Sequence, residues 1–474
     1  MKLWNFEKHA ERTAVVTEDG TEFRYAELDL LRQKLALQVK SHTLTILLAD
    51  NDLGSLIGYI TCLSCDSVPI LLPAERQNPK IQAMVTRYHP EYIWLSETLS
   101  KEVLAEMDDS YQICFSFLTY HLLVRNPWMQ HPICPELALL LPTSGSTGNP
   151  KLVRISQKNI LANTKSICQY LELTEHDRAV TSLPMSYTYG LSVINTLLFA
   201  GGSIFLTKRG IMQKEFWENM KRYAVTYLAG VPYTFEMMKK SRIDAWELPA
   251  LRILTQAGGK LSEKIQKYWG EYALRTSKKF FIMYGQTEAT ARISYLPAKD
   301  CLRKIGSVGI AVPDSKIVLV DEDNNFINKA GEQGEIVCVG PQVSMGYAET
   351  EEDLSRKDDN GKILLTGDLG YMDAEGYLVI TGRKNRIAKL LGRRIELTDI
   401  EKKAGQCFGQ EVTALTDDKK IVLFTDAEVS EEMLKKLMKQ FAFRVNIFVI
   451  CSRDQIPRKG NGKIDYGCSD FYTE

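Results

Sequence analysis

Between two apolar runs, 138–141 and 152–155, the chain places Thr143, Ser144, Gly145, Ser146, Thr147, Gly148, Asn149, Pro150 and Lys151. The flanking runs have the length and composition of buried strands, so the polar residues form a tight connection between them. Glycines let a backbone turn its N–H groups toward an anion, and hydroxyls with a lysine add donors and positive charge. That is chemistry for holding phosphate. The spacing Gly-x-x-Gly-x-x-Lys differs from a Walker loop, and no Gly-Lys-Ser/Thr opens a helix after it. Taken alone, a polar hairpin is the plainer reading of such a run.

Four other stretches carry groups suited to the same work. Met283-Tyr284-Gly285-Gln286-Thr287-Glu288 closes an apolar strand with a carboxylate beside a hydroxyl, a pairing suited to Mg²⁺ and a phosphate oxygen. Thr366-Gly367-Asp368-Leu369-Gly370 puts an aspartate at a strand end, where a carboxylate can accept both hydroxyls of a ribose. Gly382-Arg383-Lys384-Asn385-Arg386 begins a basic stretch that continues through Gly392-Arg393-Arg394. Ile456-Pro457-Arg458-Lys459-Gly460-Asn461-Gly462-Lys463 is a glycine-rich loop ending in a lysine. Singly these read as a solvated turn, a type I turn, an interdomain linker and a frayed tail.

The elements needed to position these residues follow from periodicity. Helix-like spacing at 23–37, 53–65, 77–88 and 159–171 alternates with strand-like runs at 45–49, 68–72, 92–95, 179–183, 204–206, 225–229, 251–255 and 279–283. Such alternation predicts βαβ units and parallel sheets covered by helices. From 317 the texture becomes β, with strands expected at 317–320, 334–339, 363–366 and 377–381 between turn residues. After 384 a compact segment of about ninety residues restarts with its own strands and helices, enough for a small separate domain. The expected fold class is therefore α/β. A large N-terminal domain, 1–384, combines parallel-rich sheets and a β-rich subdomain, and a small α+β domain occupies 385–474.

Bulk properties narrow the function classes. At 474 residues the chain exceeds one compact core, and 45% hydrophobic with 25% charged residues is ordinary globular composition. Lys+Arg and Asp+Glu both number 59, so no net charge drives binding to nucleic acid or an anionic surface. No apolar run reaches bilayer-spanning length, and the first residues lack the apolar core of a secretory signal, so a cytoplasmic location is expected. The pair Cys62 and Cys65 lies in a helix-like stretch and reads as small buried residues. The six histidines show no ligand spacing, so the chemistry is not expected to run on a histidine.

In their order along the chain these stretches resemble the adenylate-forming superfamily of acyl-CoA synthetases, peptide-synthetase adenylation domains and luciferases. The resemblance extends from Tyr25-Ala26-Glu27-Leu28 to Lys463. It includes Leu183-Pro184-Met185, Ala229-Gly230-Val231-Pro232, Gly258-Gly259, Gly334-Glu335-Ile336 and Met345-Gly346-Tyr347. It implies ATP-dependent activation of a carboxylic acid as an acyl-adenylate, then transfer to a thiol of CoA or a carrier-protein phosphopantetheine. No catalytic base is required, since a carboxylate is already a nucleophile. Carried over, Thr143–Gly148 and Lys151 hold the β- and γ-phosphates, Thr287 touches the α-phosphate and Glu288 holds Mg²⁺. Tyr284 and Gly285 flank adenine and the acyl pocket, while Asp368 and Arg383 bind the ribose. Lys463 reaches between the acid and the α-phosphate. Asn385 takes the hinge position about which the small domain is mobile, and Gly392 lines the thiol tunnel.

Several positions depart from that pattern. Leu152 stands where glycine is typical, Gln157 and Tyr187 where histidine is frequent, and Lys459 where threonine is common. No Asp lies near Gly190 to pair with an α-ammonium, which points away from amino acids and toward a fatty or aryl acid. Tyr187, Gly190, Tyr233, Gly258 and Gly259 are expected to shape the acid pocket. An acyl- or aryl-acid AMP ligase is the nearest match. The alternative is a non-catalytic adenylate- or acyl-binding regulator on the same fold.

Overall fold

The structure, a computed structural model, describes residues 3–75, 79–107, 110–142, 151–384, 386–390, 393–416, 420–441 and 447–452. Residues 143–150 expected to hold phosphate, Asn385 expected at the hinge, Gly392 and the tail with Lys463 lie outside the described residues. The architecture is mixed α/β, as the alternating periodicity requires. Two compact units are present. Among the described residues, the first comprises those up to 142, those of 151–317 and Cys338–Leu364; the second comprises Val318–Val337 and those from Leu365 onward.

The first unit holds two large sheets. In the eight-stranded sheet the spatial order is Tyr347–Ala348, Leu152–Ser156, Leu137–Pro142, Val68–Pro73, Leu44–Ala49, Tyr92–Ser96, Tyr120–Arg125 and Tyr111–Phe117. Its four central strands are parallel and its flanks antiparallel. The central strands are buried on both faces, as near-continuous Leu/Ile/Val runs demand. The nine-stranded sheet is parallel from Lys279–Tyr284 through Ile253–Gln256, Tyr227–Gly230, Arg178–Val180 and Ser203–Phe205 to Thr13–Val16, again with antiparallel edges. One apolar cluster takes side chains from both sheets and from the helices Leu53–Ser64, Gln157–Leu171 and Thr188–Ala200. The helix Leu53–Ser64 is apolar all round, which suits burial inside rather than on the surface. Asp52 caps it by accepting from the Ser55 N–H at 2.9 Å. Cys62 is buried within it, and burial pushes its thiol pKa up.

The second unit is built mostly on a five-stranded sheet ordered Phe326–Ile327, Lys316–Val320, Gly334–Val339, Ile363–Met372 and Leu378–Arg383. A ribbon, Ile387–Leu390 with Arg393–Glu396, follows. Then a three-stranded sheet (Thr413–Thr416, Ile421–Phe424, Phe448–Cys451) packs with the helices Leu397–Phe408 and Glu431–Gln440 around Ile400, Ala404, Leu423 and Leu437. One strand differs from expectation. The run foreseen at 363–366 continues to Met372, so Asp368 is interior to a strand rather than at its end. Turn-forming Gly367 and Asp368 misled the sequence reading. Cross-strand pairing of Asp368 with Arg383 carries the ladder through them.

Arg154, in the strand leaving the phosphate loop, has a side chain with no exposed surface. Its guanidinium donates to the carbonyls of Met345 (2.8 Å), Tyr347 (3.1 Å), Arg356 (2.6 Å) and Lys357 (3.2 Å), and to the Asp359 carboxylate. Burial lowers its pKa and the Asp359 charge opposes that. Gly346 sits beside it at φ +106°, where an added Cβ would lie 2.9 Å from the Asp359 carboxylate. The fork thus fastens 345–359 to the loop's exit strand, and Tyr347 and Ala348 pair with Val153 and Leu152. Arg154→Ala takes the shared donor from four carbonyls while Asp359, exposed, keeps its pair with Arg356, and we expect it to cost about 1–3 kcal/mol in urea unfolding. Arg154→Lys should recover little of this, because one ammonium cannot reproduce a planar fork.

Candidate active site

Parallel strands place their carboxyl ends along one edge, which is where open α/β sheets bind ligands. At that edge of the nine-stranded sheet, Arg178–Val180, Tyr227–Gly230, Ile253–Gln256 and Lys279–Tyr284 release four loops. These carry 183–187, 231–233, 257–259 and 285–288. Four separate motifs of the sequence therefore meet along one line. Gly259 packs by the helix Pro232–Lys240, since a Cβ on it would sit 3.2 Å from Pro232 Cγ, and its carbonyl accepts from the Gln256 amide at 3.0 Å. Gly258 turns at φ +87°, and Tyr233 is exposed. Tyr187 precedes the helix Thr188–Ala200 with its ring edge-on to Tyr189 at 6.2 Å. Gly190 is buried where a Cβ would come within 2.3 Å of the Pro184 carbonyl, so it seats that helix on Leu183-Pro184-Met185.

The turn after Tyr284 is built for close approach. A Cβ on Gly285 would lie 1.8 Å from the Ala291 carbonyl, so only glycine lets the chain double back here. Thr287–Ala289 forms one 3₁₀ turn, and the Ser344 N–H donates to the Glu288 carbonyl at 2.8 Å. The Thr290 hydroxyl donates to the Gln342 carbonyl at 2.7 Å. The Tyr347 hydroxyl donates to Glu288 Oε1 at 2.8 Å. Burial, and then the Glu288 charge, push the Tyr347 phenol well above its ordinary pKa, so it remains a donor. Lys151 Nζ lies 5.8 Å from the centre of the Tyr347 ring and 2.5 Å from Glu349. Tyr347 thereby links the carboxylate foreseen for Mg²⁺ with the lysine foreseen for phosphate.

A carboxylate on a strand-end turn is hard-oxygen chemistry that fits Mg²⁺. Among the described residues no cluster of three His, Cys, Asp or Glu side chains is placed to hold a metal. One protein carboxylate plus phosphate oxygens and water is the usual donor set for a Mg²⁺ that arrives with a nucleotide.

In the second unit, Arg383 Nε donates to Asp368 Oδ1 at 2.7 Å, and the Asp368 carboxylate side chain is almost fully buried. Nearby Lys384 Nζ pairs with Glu335 at 2.7 Å, and the other Glu335 oxygen accepts from the Gly367 N–H at 3.2 Å. The two residues assigned to ribose are in contact.

A family profile described as AMP-binding enzyme matches residues 3–348. The chain belongs to the AMP-binding enzyme family. An oxalate–CoA ligase of Arabidopsis thaliana is 27% identical over 360 residues, 71% of this chain and 67% of that protein. A long-chain-fatty-acid–CoA ligase of Escherichia coli O157:H7 is 28% identical over 361 residues, 72% of this chain and 62% of that protein. The alignments thus span about two thirds of these relatives' length. Among solved structures, an o-succinylbenzoate CoA synthetase from Bacillus subtilis, in complex with its acyl-adenylate intermediate, superposes with a TM-score of 0.76. It has 21% identity and covers 97% of this chain and 96% of that one, which establishes the shared fold.

Two residues of this AMP-binding enzyme's site region escaped the sequence reading as site residues. Tyr347 was visible only as part of Met345-Gly346-Tyr347; its pairing with Glu288 spans 59 positions and leaves no local periodicity. Arg292, eight residues beyond Tyr284, looked like an ordinary basic residue but is buried. The departures at Leu152 and Gln157 have structural reasons. Leu152 fills the core with Met345, Ala348 and Leu354, and Gln157 donates its amide to the Leu63 carbonyl at 3.0 Å. Tyr347→Phe keeps the ring and removes the hydrogen bond to Glu288. We expect the folded variant to bind Mg–ATP about fivefold more weakly by titration calorimetry, with metal-free ATP binding unchanged. Equal weakening of both would assign Tyr347 a purely structural role.

Proposed function

We propose that this AMP-binding enzyme is an acid–thiol ligase that forms an acyl-adenylate from ATP and a carboxylic acid and passes the acyl group to CoA. The supporting observation is the clasp in which Tyr347 joins Glu288 to the exit of the phosphate loop at Lys151. It puts an anion-holding lysine and a metal-suited carboxylate beside one another, as charge neutralisation at a triphosphate needs. The matched relatives are named CoA ligases, which favours CoA over a carrier-protein phosphopantetheine as acceptor.

In this reading the substrate carboxylate attacks the α-phosphorus, pyrophosphate leaves, and the thiol later displaces AMP. The chain's own part is positioning. Thr143–Gly148 and Lys151 grip the β- and γ-phosphates, Thr287 orients the α-phosphate, and Glu288 is the ligand for Mg²⁺, which when bound neutralises phosphate charge. Asp368 accepts from the ribose hydroxyls with Arg383 holding its carboxylate in place. Lys463 offsets the two negative groups as they approach, and residues 385–474 pivot at Asn385 between adenylation and thiol transfer. An α-amino acid is disfavoured as substrate. The helix Thr188–Ala200 carries no acidic residue, and Arg292 beside it repels an ammonium. The regulator alternative is not favoured, because each group the chemistry needs is retained.

Lys463 should matter most where the two negative groups close. Lys463→Ala is expected to lower acid-dependent pyrophosphate release by about a hundredfold or more, while the Kd for ATP stays within about threefold. Release assayed with CoA and with a phosphopantetheinylated carrier protein identifies the acceptor as the one that accelerates AMP formation. Pyrophosphate release that persists undiminished in the variant would remove Lys463 from the mechanism.

A further inference from the structure

Arg292 is a buried cation that the adenylation chemistry does not use. It is 2% exposed and forms no ion pair with a carboxylate among the described residues. Its guanidinium carbon lies 4.1 Å from the centre of the Tyr189 ring. Its nitrogens donate to the Met283 sulfur at 3.4 Å, the Ala291 carbonyl at 3.2 Å and the Ser192 hydroxyl at 3.3 Å. All three partners are neutral, and the two oxygen contacts are long for a charged donor, which normally settles at about 2.7–2.9 Å on an anion. Both terminal nitrogens carry a second N–H besides these. Burying a charge is costly without a counter-charge, and the partners of this one, a ring face, the Tyr170 hydroxyl and the three acceptors above, are all neutral.

Its position is as telling as its environment. Arg292 Cα would lie 2.9 Å from a Cβ on Gly285, so the residue backs directly onto the strand-end turn that precedes Thr287 and Glu288. Tyr189 and Ser192 belong to the first two turns of the helix Thr188–Ala200, which starts beside Tyr187. Tyr189 in turn donates to the Thr255 carbonyl at 2.9 Å, just before the Ala257-Gly258-Gly259 loop. Arg292 therefore sits behind the helix that follows 183–187 and, through Tyr189, close to the strand that leads into 257–259, with Tyr170, Tyr189 and Tyr227 around it. A long alkyl chain directed into this layer would desolvate the guanidinium further and offer it nothing. An anionic group would supply the missing counter-charge and displace contacts that are already poor.

We propose that Arg292 is a specificity-determining anchor, and that the acid is a short dicarboxylic acid or a close analogue with a second anionic group. One carboxylate meets the α-phosphate and the other meets Arg292. This rests on the ligase reading, and it replaces the expected fatty or aryl acid with a doubly charged one. The test compares chain-matched acids, succinate with butyrate and glutarate with valerate, as substrates of the full-length protein with Mg–ATP and CoA. Wild type should favour the diacid by about tenfold or more in kcat/KM. Arg292→Gln should collapse that ratio by a similar factor, and Arg292→Lys should retain part of it. A wild-type preference for the monoacid, or a ratio unchanged in Arg292→Gln, would overturn the proposal. Thermal unfolding of wild type with succinate or butyrate and no nucleotide covers the case of a variant that does not fold. Stabilisation by the diacid alone supports the anchor; equal shifts, or none, refute it. If no acid releases pyrophosphate the ligase reading fails, while the unfolding comparison still decides whether Arg292 receives an anion.

Discussion

The Arg154 guanidinium fixes the geometry on which the candidate site residues of the first unit depend. The strand Leu152–Ser156 could pair with its hairpin partner Leu137–Pro142 without help, and that pairing alone would define the mouth of the phosphate loop. It would not bring Glu288 there, because Glu288 follows a strand of the other large sheet. The connection runs through 341–348. Asn159 donates to the carbonyls of Pro341 and Val343, Thr290 and Glu288 bond to Gln342 and Ser344, and Arg154 takes hold from Met345 onward. A segment with little regular structure becomes rigid because its carbonyls are spent on buried donors from the strand Leu152–Ser156, the helix Gln157–Leu171 and the turn at Thr290. Buried carbonyls must be paired, and a planar guanidinium pairs several at once at fixed angles. Lysine at that place could hold one or two. The site is then as precise as the sheets that carry it.

Tyr347 shows how a neutral group can couple two charges. Its hydroxyl bonds Glu288 while its ring lies near Lys151, so it spaces a carboxylate from an ammonium that would otherwise attract each other directly. A direct ion pair would have to break before phosphate and metal could enter. With the phenol between them, each charge keeps its place, as the proposed binding of Mg²⁺ and phosphate needs. Lys151 is shared with Glu349, but that pair is roughly half exposed on both sides. Surface pairs of this kind are worth only about 0–1 kcal/mol, which a phosphate readily outcompetes.

The fold was largely legible from the residues, for a physical reason: buried parallel strands are written as apolar runs, and helices between them as a 3.6-residue period. The large sheets needed little else. The 363–366 run was read short because Gly367 and Asp368 are turn formers, and local propensity loses to the cross-strand partner Arg383. Glycines at 190, 259 and 285 were visible, yet only the packed structure distinguishes their work. Gly285 and Gly190 admit a neighbouring carbonyl, whereas Gly259 admits a proline ring. Residues whose importance comes from distant partners were not legible. Tyr347 and Arg154 have no local signature, and neither does the Glu351 carboxylate that gathers both His89 and His131. The absence of histidine spacing in sequence did not foretell that pairing, because its members are joined only by tertiary packing.

Charge pairing gives Arg292 its meaning. Among the described residues, the other cations assigned to ligand contact meet a carboxylate: Lys151 meets Glu349, and Arg383 meets Asp368. Each of those is substantially exposed, so the cation could have been left to water at little cost and the carboxylate serves to aim it. Arg292 has the opposite arrangement, burial without a counter-charge, which is the state a protein's folding energetics resist most. Methionine or leucine would fill the same layer between helix and sheet at lower cost. Retaining a guanidinium there is coherent if its counter-ion comes with the substrate, so that binding supplies an interaction that folding lacked. Such a site rejects an acid without a second charge by more than the lost contact, since the cation would stay buried without a counter-charge.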